Sequence, residues 1–253
     1  MRFCHFKKSG LQALMLAGLA LTGAQAQAAN LIQNGGFEAD LAVSYSPANW
    51  QVFESAAIGG VAATSGTSAP ASGWDTIGAA SGSNYGIIDA YSLGDYALSQ
   101  RFSTGQVASA TLSFSIFVNS SDTAIVNASG LDYTTGGTYD ANHHVRVDLL
   151  SAGADPLHTG SSVLRSLYLG GANALNTVNN YSNYSFDVGS DLAAGGNYVL
   201  RFAAVTNLAQ MQVGIDNVSL NVTPVPEPES YAMLLAGLGL LGGIVARRRN
   251  NAA

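Results

Sequence analysis

Leu112, Phe114, Ile116 and Val118 alternate with Thr111, Ser113 and Ser115. A period of two places successive side chains on opposite faces of an extended strand, so this run predicts one buried and one wet face. Val145, Val147 and Leu149 alternate in the same way with Arg146 and Asp148, and Tyr198, Leu200 and Phe202 with Val199 and Arg201. Further strand candidates are Tyr85 to Ala90, Ala97 to Phe102, Val163 to Leu169, Tyr184 to Val188 and Met211 to Leu220. Clusters rich in Gly, Ser and Asn, such as 81–84 and 193–197, punctuate them. No helical period of useful length occurs between Asn30 and Thr223. Many short strands at this spacing predict an all-β chain folded as a β-sandwich.

Two stretches carry little strand signal, one from about Ser55 to Ser83 and one from Ser120 to Asn142. Loops of that length in a compact domain are functional or mobile. The last strand has an irregularity. Met211, Val213 and Ile215 share one phase, whereas Val218 and Leu220 share the other. One extra residue near Asp216-Asn217, a β-bulge, reconciles them.

The ends read differently. Arg2, Lys7 and Lys8 precede an apolar run from Leu11 to about Thr22, and Ala24-Gln25-Ala26 and Ala26-Gln27-Ala28 follow. That pattern predicts a signal peptide over 1–28. Cys4 leaves with it, so the mature chain forms no disulfide. Residues 30–223 are then one domain. Residues 224–230 hold three prolines and read as an extended linker. Residues 231–246 are uncharged and predict a single transmembrane helix of roughly 24 Å, slightly shorter than a hydrocarbon core of about 30 Å. Arg247, Arg248 and Arg249 open a basic cytoplasmic tail, 247–253.

Between Asn30 and Thr223 there is no lysine, and four arginines face fourteen Asp and Glu, a formal charge of −10. Such a field repels nucleic acid and anionic polymers and suits neutral partners or divalent cations.

Val225-Pro226-Glu227-Pro228, the apolar run and Arg247-Arg248-Arg249 together resemble the PEP-CTERM sorting domain of Gram-negative bacteria. The resemblance implies an exosortase-type processing enzyme as partner and a role linked to exopolysaccharide or biofilm matrix. It also implies transient anchoring in the membrane before release to the cell surface. The opening Asn30-Leu31-Ile32-Gln33-Asn34-Gly35-Gly36-Phe37-Glu38 and the closing Gly214-Ile215-Asp216-Asn217-Val218-Ser219-Leu220 look like the terminal strands of galactose-binding-like jelly rolls, a class that holds many carbohydrate-binding modules. That likeness implies a jelly-roll sandwich with first and last strands side by side. It also implies a structural Ca²⁺ held by Glu38 and Asp216, a hard cation that takes roughly six to eight oxygens.

No catalytic motif stands out. His143 and His144 are adjacent on a predicted strand and point to opposite faces, so they do not share a metal. Neither Gly-x-Ser-x-Gly nor His-Glu-x-x-His occurs, and no enzyme activity is expected. Trp50 is expected in the core. Trp74 lies in the small-residue loop Ala71-Ser72-Gly73-Trp74-Asp75, where an indole has less reason to be buried, and is the candidate platform for a sugar ligand. The expected function is an exported surface or matrix protein that binds neutral polysaccharide. The alternatives are a structural or adhesive protein with protein partners and, behind it, an exported hydrolase.

Overall fold

The computed structural model describes residues 27–40, 43–55, 59–134, 140–226 and 228–250. Nearly all of the expected signal peptide, Glu227 and the last three residues of the tail lie outside them. The chain divides into two compact units, of which Ala28–Thr223 is one and the C-terminal helix belongs to the other.

Eleven strands are described: β1 (Ala29–Asn30), β2 (Gln51–Glu54), β3 (Gly60–Ser65), β4 (Asn84–Ala90), β5 (Gly94–Thr104), β6 (Val107–Ser120), β7 (His143–Ser151), β8 (Val163–Gly170), β9 (Ser182–Asp187), β10 (Gly196–Thr206) and β11 (Met211–Pro224). One sheet has the order β3-β4-β11-β6-β9, with β1 also on β11; the other runs β2-β5-β10-β7-β8. This is the jelly-roll β-sandwich that the alternation and the terminal strands led us to expect. The first and last strands do lie side by side, with Ala29 opposite Val222 and Asn30 opposite Asn221.

The inner faces interdigitate around aromatic rings. Trp50 is buried and stacks on Phe37 at 5.4 Å between ring centres. Phe202 meets the edge of Trp50 at 6.1 Å and of Phe114 at 5.4 Å. Such pairs add about 0.5–1.5 kcal/mol each beyond the area they bury.

The expected change of phase in the last strand is present. Met211, Val213 and Ile215 enter the core, and so do Val218, Leu220 and Val222. Between them Asn217 takes a left-handed backbone, φ 53°, and is exposed, while Asp216 turns inward and is fully buried. Asparagine is among the residues that tolerate this region best.

Two expectations fail. The stretch from Ser55 to Ser83 is not structureless, because Gly60–Ser65 forms β3, paired with β4 from Gly60 opposite Asp89 to Ser65 opposite Asn84. Its small residues give no hydrophobic signal, yet Val61, Ala62 and Ala63 are fully buried. Nor do all strands keep a wet face: β4 is buried at every position and β7 at all but its last. Loop segments cover the outer faces. Ala69, Tyr85, Ile87 and Phe117 form a second apolar cluster outside one sheet. Leu131, Ala97, Ala203 and Val205 form a third outside the other. Gly214 belongs to this packing, since a methyl group there would overlap the ring of Phe117.

A four-residue helix, α1 (Gly189–Leu192), links β9 to β10. The C-terminal helix α2 covers Pro228–Asn250, so it begins three residues before the expected Tyr231 and includes the arginine cluster. Proline suits a first helical turn, where its missing N–H is not needed. Pro224 ends β11 instead of opening the linker. Side chains of 228–231, Met233 and Leu234 fall outside the description. Among the described residues no helix is long and apolar enough to cross a membrane.

Candidate functional site

The loop that follows β3 is held by three carboxylates, each receiving two consecutive backbone amides. Ala71 and Ser72 donate to Asp89 Oδ2 at 2.8 and 2.7 Å. Ala80 and Ser81 donate to Asp216 Oδ2 at 2.9 and 3.0 Å. Ser83 and Asn84 donate to Glu38 Oε1, both at 2.8 Å. Hydrogen bonds to an ionised acceptor are roughly twice as strong as neutral ones. Within the loop Ala69 N–H donates to the Trp74 carbonyl at 2.8 Å and Thr76 N–H to that of Thr67 at 2.9 Å, forming a tight turn. Thr76 Oγ1 and Tyr85 OH share a hydrogen bond of 2.7 Å beneath it.

Trp74 rides on this turn and is 39% exposed. It walls a pocket of about 280 Å³ together with Asp75, the end of β6 (Asn119, Ser120), the loop 176–178 and Gln212 at the start of β11. The lining contains no Lys or Arg. Asn119 is fixed from both ends: its Oδ1 accepts from Asn179 N–H at 2.8 Å, and its Nδ2 reaches the Asp75 carbonyl at 3.5 Å. A half-exposed indole beside carboxamides and a carboxylate can stack on an apolar ring face and bond its hydroxyls. Of the residues that line this pocket, sequence reasoning named Trp74 and did not name Asn119, Asn176 or Gln212. Gln212 gave no signal, since it alternates with Met211 and Val213 as a residue on a wet face does.

Glu38 and Asp216 do come together. A methyl group on Gly36 would lie 3.7 Å from Asp216 Oδ1 and 3.9 Å from Glu38 Cγ. Asp216 Oδ1 accepts from Asn217 N–H at 2.6 Å. Burial pushes the Asp216 carboxyl above its usual value; the amides of Ser81, Asn217 and Ala80 oppose this, and the charge of Glu38 adds to it. Among the described residues no three or more His, Cys, Asp or Glu side chains gather as a metal group. The pair fits a calcium site only as its anionic part, with carbonyl oxygens left to complete roughly six to eight ligands.

His143 and His144 point apart, as their adjacency requires. His143 bridges Ser120 Oγ at 2.7 Å and Thr206 Oγ1 at 2.8 Å. A serine on a histidine suggests a nucleophile and its base. Here, however, Ser120 Oγ is also enclosed by the Asp122 carbonyl at 2.9 Å, the Asp122 N–H at 3.1 Å and the Gln210 carbonyl at 3.4 Å. These contacts occupy the oxygen's hydrogen-bonding directions, and the chain Ser120–His143–Thr206 ties strand ends together. His144 is fully buried on the opposite face, and neither ring nitrogen has a hydrogen-bond partner. Nearby, Asp148 is fully buried between two guanidiniums. Arg146 donates to it from Nε at 2.6 Å and Nη2 at 2.8 Å. Arg201 donates from Nη2 at 2.5 Å and also binds the Pro156 and His158 carbonyls.

Residues 224–249 match the PEP-CTERM protein-sorting motif. No curated protein matches the chain. Several solved structures are similar in fold. TmCBM61 in complex with β-1,4-galactotriose is 14% identical, with 76% of this chain and 97% of that one aligned at a TM-score of 0.44. The K3 cleaved adhesin domain of Lys-gingipain from Porphyromonas gingivalis is 17% identical over 77% and 98%, TM-score 0.45. The Stig cyclase Fisc from Fischerella sp. TAU is 18% identical over 79% and 100%, TM-score 0.46. These are likenesses of chain path, and TM-scores below 0.5 assign no function.

Proposed function

We propose that this exported chain, with its C-terminal sorting tail, is a cell-envelope or matrix protein whose jelly-roll domain binds neutral polysaccharide and catalyses nothing. The observation that carries the reading is the pocket walled by Trp74, which sets an indole among Asp75, Asn119, Asn176 and Gln212. A lining without Lys or Arg, in a domain of net charge −10, favours uncharged polymers over acidic ones. The enclosed Ser120 oxygen supports reading Ser120–His143 as a structural pair and not as a nucleophile with its base.

The tail supports the location. The described part of α2 exposes Leu235, Leu238, Leu240, Leu241, Ile244 and Val245, and its last turn carries three arginines. Such a helix seats in lipid with the arginines on the cytoplasmic side, and holds the chain until an exosortase-type enzyme acts at the Pro-Glu-Pro segment.

Titration of the purified chain against galactomannan, dextran and xyloglucan tests the binding. Trp74→Ala should weaken it about tenfold or more, ~1.4 kcal/mol, with the fold intact because the indole is outside the core. Unchanged affinity in that variant rejects the site.

Calcium belongs to the same proposal, with Glu38 and Asp216 as its carboxylates. Chelation should lower the melting midpoint by about 5–10 °C for an ion that had been present at some 100 times its dissociation constant. Glu38→Gln with Asp216→Asn should abolish that difference. A midpoint indifferent to chelator means that the loop amides alone occupy the pair.

A further inference from the structure

Gln212 breaks the ordinary rules of burial. It is fully enclosed, and its Oε1 meets no hydrogen-bond donor. Its Nε2 reaches only Ser72 Oγ, at 3.5 Å, the limit of a hydrogen bond. Its register partner on β4 is Asp89, whose Oδ1 is likewise buried and unpartnered. Gln212 has donors of its own, but as its amide is turned Nε2 reaches Ser72 Oγ and both acceptors stay open. Among the described residues five buried side-chain atoms lack a partner, and two of them belong to this one cross-strand pair. A buried acceptor left unmade costs stability, and native proteins keep few of them. An apolar side chain of the same length would suit a strand flanked by Met211 and Val213. The strand carries the amide instead, at the one position of β11 that lines the Trp74 pocket.

We infer that Gln212 is the polar anchor of that pocket, accepting a hydroxyl from an uncharged sugar unit whose apolar face lies on Trp74. The inference rests on the polysaccharide reading and adds the chemistry of the unit that enters. An acidic sugar would meet Gln212 Oε1 and the Asp75 carboxylate with no basic side chain in the lining. A cationic amino sugar finds no buried carboxylate there, because Asp89 is not part of the lining and Asp75 is exposed to solvent. A neutral hydroxyl supplies the donor that Gln212 Oε1 lacks without setting a charge against the buried amide.

The test uses the full chain in detergent, titrated with galactomannan, dextran and xyloglucan as neutral probes, polygalacturonate as the acidic one and chitosan as the cationic one. Wild type should bind at least one neutral probe and prefer it to both charged ones. Gln212→Met, which keeps the length and removes the amide, should lower that affinity at least tenfold. The same variant should melt no lower than wild type, and about 2–4 °C higher if the unmade acceptor costs what such groups usually do. A variant that binds like wild type overturns the inference. So does one that melts lower, since the amide then serves the fold, and so does wild type that prefers polygalacturonate or chitosan. The two readings fail separately: Trp74→Ala losing affinity while Gln212→Met keeps it removes Gln212 alone, whereas wild type that binds no probe removes the polysaccharide reading and this inference with it.

Discussion

Asp148→Ala should cost about 3–5 kcal/mol of folding stability, because it leaves Arg201, fully buried, and Arg146, nearly so, without their shared anion. The cost is the desolvation of two guanidiniums, not the Coulombic energy of a pair. The site therefore behaves differently when a cation is removed. Arg201→Met leaves Asp148 with both hydrogen bonds from Arg146 but takes the donor from the Pro156 and His158 carbonyls, so its cost should be smaller than that of Asp148→Ala without vanishing. The Arg165–Asp191 pair is the internal control. It is partly exposed at 3.1 Å, and its loss should change stability by about 0–1 kcal/mol. Urea unfolding of the three variants measures the order. An Asp148→Ala cost below that of breaking Arg165–Asp191 would falsify the account.

Acidification should destabilise the domain through His144. Burial, and after it the neighbouring Arg146 guanidinium, hold its pKa at about 4, against an ordinary value of 6.5. The unfolded chain therefore binds this proton first. The contribution of neutral His144 is fully present above pH 6.5 and is lost as pH falls from 6.5 towards 4. At about 1.36 kcal/mol per pKa unit the loss reaches about 3 kcal/mol. His143, also pushed down by burial, acts in the same direction. Asp95 and Asp216 act oppositely: burial raises both, so the fold regains stability as they protonate at the acid end of the window. Unfolding free energies at pH 7.5, 6 and 5 should fall steadily, and His144→Leu should flatten most of that slope without lowering stability at pH 7.5. A slope that survives in His144→Leu assigns the acid sensitivity to another group.

Strands were legible wherever one face was apolar and the other polar, as in β6 and β10, because the two-residue period is written in the side chains themselves. The phase slip at Asp216-Asn217 was legible for the same reason. β3 was not, since Ala and Gly pack by fitting closely and carry little hydropathy of their own. Trp74 stood out because an indole in a run of small residues is unusual. Gln212 did not. In sequence it alternates with Met211 and Val213, as a residue on a wet face should. Its burial depends on segments near residues 72 and 177, far along the chain, which close over the outer face of β11. Only the folded chain brings Gln212 into the wall that Trp74 completes. The pairing of Glu38 with Asp216 was reached through likeness to a fold class, and the loop amides that both carboxylates collect had no trace in the sequence.

β11 carries Gln212 at its second position, at the pocket, and runs on past the break of phase at Asn217 to Pro224, where the sorting tail starts. If a bound polymer is dragged while the tail is tethered, the load runs along this single strand, roughly 40 Å at about 3.3 Å per residue. Its hydrogen bonds to β4, β6 and β1 lie across that line. They are therefore loaded together in shear, instead of parting one after another as a strand peeled from its end would. A polymer held at this pocket by Trp74 and Asn119 as well as Gln212 would thus load the tether through these sheet bonds, which share the force.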